Sequence, residues 1–221
     1  MREKIKVAVI AGTPVDTQMG VEYISANAPQ YEPISCPVSD TPQQQTLFQI
    51  LPAELKERKI AEILSVAKQV GAKAAFVYCN SLSASVDFDK LSAMCGIKAV
   101  TPLNVYTQLA EKYDRIGVIA ANNQSLAGIE QAAMLGNPNV EVIGVSLLPV
   151  VKLIEQKIAP EIIVDKWRIC DIISFFESCG AKVAVLGCTH FPWFEAELKS
   201  RITLPIINPS EYMLKKLNEI I

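Results

Sequence analysis

The sequence lacks the features that mark several large classes of protein. It holds one histidine and six cysteines, no two of them spaced as a CxxC pair, which argues against a structural zinc site. The formal net charge is −2 and no basic run occurs, so nucleic-acid binding is disfavoured. No apolar stretch reaches the roughly 18–20 residues of a membrane span. The dinucleotide fingerprint GxGxxG is also absent.

The N-terminal residues do not have the pattern of a secretory signal. Met1-Arg2-Glu3-Lys4 leads directly into an apolar strand, without a signal-peptide core or cleavage site. We therefore expect a cytoplasmic protein whose cysteines are mostly reduced thiols. Half of the 221 residues are hydrophobic, which is enough for the core of one large domain or two small ones.

The sequence does contain two similar stretches, each a short apolar run that ends on a cysteine. Residues 75–81 read AFVYCNS, and residues 184–190 read AVLGCTH. Such runs are typical of buried parallel strands, and open α/β sheets bind their ligands beyond the carboxyl ends of the strands. Cys79 and Cys188 are therefore candidate catalytic residues.

The spacing of these stretches indicates an internal duplication. Cys79 and Cys188 are 109 positions apart, and two further apolar runs, beginning at Val7 and Gly117, are 110 positions apart. Two strand starts and two strand-end cysteines with one common offset predict two similar half-chains, each with one thiol. The alternative is coincidence, because all buried parallel strands are apolar.

Strands and helices alternate along the whole chain, which predicts a parallel-sheet α/β fold built from two pseudo-symmetric domains. We expect residues 1–100 with 209–221 to form the first domain and residues 101–208 the second. Residues 38–49 are polar and are interpreted as a loop, either over the site or as a plain connection. Residues 160–179 are strongly apolar and predict one long helix.

Two thiols at strand ends suit one kind of reaction. A thiol near a helix N-terminus tends to have a lowered pKa, because amide donors and the helix dipole favour the thiolate. If one thiolate removes a proton from a carbon and a thiol on the opposite face donates one, the stereocentre is inverted. The sequence demands no metal and no cofactor for this chemistry.

Other candidate site residues have structural alternatives. Residues 12–17 form either an ordinary βα loop or a substrate-binding loop that uses backbone amides and the hydroxyls of Thr13 and Thr17. Asn122 and Asn123 open a helix and suit capping or carboxylate binding. His190 is either a structural histidine or a group that tunes Cys188 or contacts the substrate, and its position two residues from the thiol favours the second interpretation.

The motifs around the two cysteines resemble those of a known family. Residues 79–81 (CNS) and 187–192 (GCTHFP) resemble the paired cysteine motifs of the cofactor-independent aspartate/glutamate racemase superfamily, and the second motif is closest to the glutamate racemase form. The similarity extends to residues 10–17 and 115–125, so it covers both halves. The resemblance implies two pseudo-symmetric α/β domains with the active site in the cleft between them, no cofactor, and a homodimer.

The resemblance also implies roles for single residues. Cys79 and Cys188 would be the two acid–base groups. The side chains implied to surround the α-carboxylate and α-amino groups are polar neighbours of these thiols: Asn80, Ser81 and Thr189, with Asn122 or Asn123 lining the same cleft.

The first loop departs from the glutamate racemase pattern, because an Asp-Ser-Gly motif is absent and residues 11–17 read AGTPVDT. An inward-pointing Asp16 can bind the substrate ammonium, whereas an outward-pointing one is a helix cap or a surface charge. No lysine or arginine can be placed in the site from the sequence, which leaves a non-acidic amino acid open as substrate.

The predicted function is racemisation of an amino acid, with aspartate or glutamate as the first candidates. Hydantoin racemases and small-dicarboxylate isomerases of the same superfamily are alternatives, while its decarboxylases resemble one-cysteine enzymes. A non-catalytic small-molecule-binding protein is the alternative from another class, since fold does not determine function. A pure binder, however, has no need of two matched thiols.

Overall fold

The computed structural model describes residues 3–221, and the chain forms two compact units. The first unit runs to Pro102 and includes Ser210–Ile221, and the second unit is Leu103–Pro209. Each unit has its own four-stranded parallel sheet, with helices between successive strands. The predicted α/β class with two parallel-sheet halves is confirmed.

Strands and helices alternate through the first unit. They are β1 (Ile5–Ala11), α1 (Pro14–Asn27), β2 (Tyr31–Pro37), α2 (Pro42–Gln49), α3 (Ala53–Gln69), β3 (Ala74–Val77), α4 (Asn80–Ser85), α5 (Phe88–Cys95) and β4 (Lys98–Val100). All of β3 and the last five residues of β1 are buried. Such continuous burial explains why both strands appear in the sequence as uninterrupted apolar runs.

The second unit repeats the alternation, and the last helix returns to the first unit. The elements are α6 (Leu103–Ala110), β5 (Arg115–Ala120), α7 (Asn123–Gly136), β6 (Glu141–Ser146), α8 (Leu148–Glu155), α9 (Pro160–Lys166), α10 (Ile169–Ser178), β7 (Ala184–Gly187), α11 (Glu195–Arg201), β8 (Ile206–Ile207) and α12 (Pro209–Ile220). The Tyr31 hydroxyl donates to the Asn218 side chain at 2.7 Å, which ties α12 to β2. Within residues 3–221, every helix is too short or too polar to cross a membrane.

The two sheets have the same strand order. It is β2-β1-β3-β4 in the first sheet and β6-β5-β7-β8 in the second. Val7 pairs with Ala74 in the first sheet and Gly117 pairs with Ala184 in the second, so the central pairing also repeats at a constant offset along the chain. The repeated topology is what the predicted duplication requires.

Parallel pairing brings the loops that follow the central strands to one edge of each sheet. The Tyr78 N–H donates to the carbonyl of Ile10 at 2.7 Å, so the pairing of β3 with β1 continues to the residue before Cys79. In the second sheet, Ala120 at the end of β5 pairs with Gly187, the residue before Cys188. Both thiols therefore follow directly on a paired strand end, where α/β proteins bind their ligands.

The prediction of a loop over residues 38–49 is wrong for its second part, which forms helix α2. Thr41 has extended backbone, and its side-chain oxygen accepts the N–H of Gln44 at 3.2 Å, so Thr41 is the N-cap. The helix presents little apolar surface to the core apart from Phe48, which is buried. Its glutamines therefore conceal the helical periodicity in the sequence.

The prediction of one helix over residues 160–179 is also wrong. The segment forms α9 and α10, which are separated at Trp167 and Arg168, and Arg168 has a left-handed backbone with φ of +49°. In α10, Phe176 is fully buried and packs against the backbone of Gly117 in β5. Continuous apolar character could not reveal the break, because both helices bury apolar side chains.

A close approach of two helices in the second unit leads to a stability prediction. A Cβ at Gly136, the last residue of α7, would lie 2.1 Å from the carbonyl oxygen of Thr107 in α6. Backbone cannot move aside as a flexible side chain can, so we expect Gly136→Ala to lower the free energy of unfolding by about 3 kcal/mol. Urea denaturation measures this change.

The control for this variant is Leu135→Ala, at the neighbouring position. Leu135 is 82 % exposed, so its truncation should change the free energy of unfolding by no more than about 0.5 kcal/mol. Equal unfolding midpoints for the two variants would contradict the close packing of α6 on α7.

Candidate active site

Cys79 lies between the end of β3 and the start of α4. Its backbone is extended, and it occupies the N-cap position of α4. The Cys79 carbonyl accepts the N–H of Ser83 at 3.1 Å and the Ser83 hydroxyl at 2.8 Å, which fixes the turn after the strand. The thiol itself is buried, with 7 % of the residue exposed.

Two polar side chains connect the Cys79 thiol to helix α2. The Sγ of Cys79 lies 3.3 Å from the Ser81 hydroxyl, and the side-chain amide of Gln49 donates to that hydroxyl oxygen at 3.5 Å. When the Ser81 oxygen accepts from Gln49, its own hydrogen can point at sulfur. Such an arrangement stabilises a thiolate, because each donor polarises the next group in the chain.

The loop after β1 donates several hydrogen bonds to the side chain of Asp16. This carboxylate is buried and accepts the N–H of Gly12 at 3.0 Å, the N–H of Thr13 at 2.5 Å and the Thr13 hydroxyl at 2.7 Å. The Thr17 hydroxyl donates to the Thr13 carbonyl at 2.6 Å. The donor hydrogens that we predicted to bind a substrate are thus engaged within the loop, because an acid three residues into α1 is positioned to cap its own helix.

Asp16 takes the role of a helix cap that was one of the alternatives considered for it. Its carboxylate caps α1 and is buried, so it is not a surface charge. The Thr13 side chain keeps its oxygen as an acceptor, while its hydrogen is committed to Asp16.

In the second unit, Cys188 has a histidine and a carboxylate next to it. The Sγ of Cys188 lies 3.6 Å from Nδ1 of His190, and Nε2 of the same ring lies 3.5 Å from Oε1 of Glu155 in α8. Cys188 and His190 are both buried. Depending on its tautomer, the imidazole accepts the thiol proton or donates to the thiolate, and a carboxylate on its far side favours the protonated ring.

Tyr106 is a further neighbour of Cys188. Its side chain is fully buried in α6, and burial raises the pKa of its hydroxyl well above 10, with a smaller contribution from the nearby Cys188 thiolate. Tyr106 therefore stays protonated and can donate but cannot act as a base near pH 7. Tyr106 and Glu155 could not be found from the sequence, because neither lies near a cysteine motif.

The remaining predicted site residues differ in their surroundings. Asn80 and Thr189, each directly after a predicted catalytic thiol, are buried. The Asn122 side chain accepts the N–H of Ser125 at 2.8 Å and is the N-cap of α7, which is the structural alternative considered for it. Asn123 is exposed in the first turn of that helix.

The other four cysteines are not among the groups described around Cys79 and Cys188, and they are only partly buried: Cys36, Cys95, Cys170 and Cys179. Burial raises the pKa of the Cys36 and Cys170 thiols, which makes both poor nucleophiles. In the part of the chain that the structure describes, no three His, Cys, Asp or Glu side chains are grouped as metal ligands.

Comparison with known sequences identifies relatives with one kind of activity. No family model matches the chain. A glutamate racemase of Latilactobacillus sakei is 28% identical over 159 residues, which cover 67% of this chain and 56% of that protein. A glutamate racemase of Shewanella baltica is 31% identical over 147 residues, which cover 63% and 52% of the two chains. The chain spans about half the length of the curated relatives it matches.

Comparison with solved structures shows which proteins share the fold. Glutamate racemase from Francisella tularensis in complex with D-glutamate has a TM-score of 0.75 at 18% identity, covering 98% of this chain and 81% of that chain. Aspartate racemase from Picrophilus torridus has a TM-score of 0.67 at 11% identity, covering 97% and 94%. The resemblance to the aspartate/glutamate racemase superfamily is confirmed. The chain has the two-domain fold of glutamate racemases, with two four-stranded parallel sheets.

This racemase fold is not tied to one substrate. Allantoin racemase from Klebsiella pneumoniae has a TM-score of 0.71 at 14% identity, covering 98% of this chain and 87% of that chain. Identities this low establish a common fold, and the choice of substrate depends on the side chains of the site.

The buried carboxylate of Asp16 leads to a second stability prediction. In Asp16→Ala, the N–H groups of Gly12 and Thr13 lose their acceptor while they remain buried. We expect the free energy of unfolding to fall by about 3 kcal/mol, since buried donors left without a partner are costly. Chemical denaturation provides the measurement.

Asp87→Ala is the matched control for this variant. Asp87 also caps a helix, and it accepts the N–H of Lys90 at 2.9 Å, but it is exposed. Its loss should cost about 1 kcal/mol, as for an ordinary N-cap. If Asp16→Ala is no more destabilising than Asp87→Ala, the Asp16 hydrogen bonds do not hold the loop.

Proposed function

We propose that this protein is a cofactor-independent amino-acid racemase that inverts the α-carbon of glutamate or aspartate, with Cys79 and Cys188 as its two acid–base groups. The observation that carries the proposal is the repeated placement of a buried thiol directly after the third strand of each sheet. Relatives and fold neighbours named as glutamate and aspartate racemases support the same reaction.

The proposed reaction needs one thiolate and one thiol at any instant. The thiolate removes the α-proton of one enantiomer, and the other cysteine gives its proton to the opposite face of the carbanion. After turnover the two sulfurs have exchanged protonation states, so the reverse reaction uses the same groups in opposite roles. Coupled groups of this kind titrate as a pair.

The surroundings of the two thiols suit these alternating roles. The Ser81 hydroxyl, with Gln49 behind it, can donate to a Cys79 thiolate or accept from the thiol. The His190 imidazole, with Glu155 behind it, can do the same for Cys188. Each sulfur therefore has a neighbour that stabilises both of its protonation states.

The polar groups adjacent to the thiols are proposed to hold the α-substituents of the substrate. Asn80, Ser81 and Thr189 supply amide and hydroxyl groups for the α-carboxylate and the α-amino group. The Thr13 side-chain oxygen is available as an acceptor for the ammonium. Asn122 serves first as a helix cap, and the exposed Asn123 is the better donor to a carboxylate at that edge.

Chiral chromatography after incubation with single enantiomers tests the proposed function. Each L- and D-amino acid of a panel is incubated separately without added cofactor, and glutamate or aspartate should yield its mirror image. A folded protein that inverts no member of the panel would refute amino-acid racemisation. If it still binds amino acids after serine replaces either thiol, it is a binding protein.

A second candidate is racemisation of a cyclic ureide. The fold similarity to allantoin racemase and the absence of the Asp-Ser-Gly motif favour this alternative. It uses the same two-thiol chemistry on a ring carbon, so hydantoins and allantoin belong in the same panel. Inversion of a ureide but of no amino acid would select this candidate.

The two-thiol mechanism makes a specific prediction for serine variants. Cys79→Ser and Cys188→Ser should each lower the rate of racemisation by at least about a thousandfold, because a hydroxyl is a far weaker acid than a thiol. Each variant should still exchange the α-proton of one enantiomer only. Chiral chromatography measures the first effect, and NMR in heavy water measures the second.

Cys95→Ser and Cys170→Ser are the controls for these variants. Both cysteines are only partly buried and lie outside the two thiol clusters, so their loss should affect stability more than turnover. Substantial racemisation by Cys79→Ser or Cys188→Ser would refute the two-base mechanism. Loss of turnover in a folded control variant would mean that the wrong thiols have been assigned.

The contact between Glu155 and His190 predicts an effect that depends on the direction of the reaction. Glu155→Gln removes the charge that favours a protonated ring beside Cys188. We expect kcat to fall about tenfold for the enantiomer that Cys188 deprotonates, and less for the other. The relevant enantiomer is the one whose α-proton still exchanges in Cys79→Ser.

Glu161→Gln, on the exposed surface of α9, is the matched control and should leave both directions unchanged. An equal loss of kcat in both directions for Glu155→Gln would contradict a specific role beside Cys188.

The homodimer and the cytoplasmic location inferred from the sequence stay predictions, and analytical ultracentrifugation tests the first.

A further inference from the structure

Gln45, in helix α2, is a buried side chain with an unused donor. The residue is 7 % exposed, and its Oε1 accepts the Ser39 hydroxyl at 3.2 Å. Its Nε2 is buried and has no hydrogen-bond acceptor among residues 3–221. Most buried amide groups in folded proteins are paired, so an unpaired one calls for an explanation.

The position of this amide connects it with the candidate active site. A Cβ at Gly12 would lie 2.8 Å from Cδ of Gln45 and 3.1 Å from Nε2, so the amide rests directly on the backbone of Gly12. Continuing the pairing of Ile10 with Val77 by two residues puts Gly12 level with Cys79. On the other side, the Ser39 N–H donates to the Gly12 carbonyl at 2.9 Å. Gln45 thus lies at the strand end next to the one that carries the thiol.

One helical turn after Gln45, the same face of α2 contacts Ser81, the neighbour of the Cys79 thiol. Gln49 follows Gln45 by four residues and therefore lies on the same side of the helix. Its amide donates to Ser81, which contacts the Cys79 thiol. The side-chain amides of Gln45 and Gln49 thus lie on the same side of α2, and the buried Nε2 of Gln45 has no acceptor among the residues that the structure describes.

We propose that Gln45 recognises the side-chain carboxylate of an acidic amino acid, with Nε2 as the donor. This inference rests on the proposed function. The α-carboxylate and α-amino group must lie beside the reacting carbon at Cys79, which follows β3. A donor at the end of the neighbouring strand β1 can therefore bind the side-chain carboxylate, which is further from the reacting carbon. The Ser39 hydroxyl donates to Oε1, which leaves the amide nitrogen as the group of Gln45 that is available to a ligand.

Gln45→Met tests the inference, because methionine has a similar length and no donor. We expect KM for glutamate or aspartate to rise about tenfold with a much smaller change in kcat, as for the loss of one hydrogen bond to a charged group. The constants for 2-aminobutyrate, which lacks the side-chain carboxylate, should not change, whether it is measured as a substrate or as a competitive inhibitor. Gln43→Met, on the exposed side of the same helix, is the control.

Gln45→Glu is a second variant that keeps the shape of the side chain. The acceptor for Ser39 is retained, but the donor is replaced by an acidic oxygen that repels a carboxylate. Its KM for acidic amino acids should rise about a hundredfold or more, again without a parallel change for 2-aminobutyrate. Equal losses for both classes of substrate, or no loss, would overturn the inference while the racemase function stands.

Failure of the proposed function can be separated from failure of this inference. If the wild type exchanges the α-proton of no amino acid, racemisation is refuted, and calorimetric titration with glutamate and aspartate then decides the role of Gln45. Binding that weakens in Gln45→Met but not in Gln43→Met supports carboxylate recognition. Equal binding by all three proteins, or no binding by the wild type, overturns it.

Discussion

The proposed two-thiol chemistry depends on the parallel pairing of β1 and β5 with the strands that precede Cys79 and Cys188. β1 pairs with β3, and β5 pairs with β7, in the same relative register. The carboxyl ends of parallel strands lie at one edge of a sheet, so each cysteine lies at the same sheet edge as the loop that follows β1 or β5. In the first unit that loop is held closed by the buried Asp16 carboxylate. Without this pairing, Cys79 and Cys188 would not lie at the matching strand ends on which the proposed mechanism depends.

The repeated scaffold carries two different sets of neighbours. Around Cys79 they are neutral, a hydroxyl backed by an amide, whereas Cys188 has an imidazole backed by a carboxylate. Tyr106 adds a hydroxyl near Cys188 that stays protonated. The two thiols that the proposed reaction uses in opposite roles therefore have different hydrogen-bonding neighbours.

The elements that could be predicted from the sequence are those whose local pattern is also their structural cause. The strands β1, β3, β5 and β7 are largely buried on both faces, so they are apolar throughout, and the two cysteines come after β3 and β7. Helix α2 could not be found in this way, because it packs with Phe48 and a buried glutamine in place of an apolar stripe. The contact between Glu155 and His190 could not be predicted either, because it depends on where α8 packs in the folded chain. The same holds for the buried amide of Gln45, which depends on the packing of α2 against Gly12.

The most direct test of the two-base account follows the isotope in heavy water from each enantiomer of glutamate or aspartate at early conversion. With two separate acid–base groups, the product receives deuterium from one sulfur while the unreacted substrate keeps its original α-proton. We therefore expect deuterium in the product and almost none in the remaining substrate, from either direction. Deuterium appearing equally in product and residual substrate would mean that a single group serves both faces, and would contradict the account.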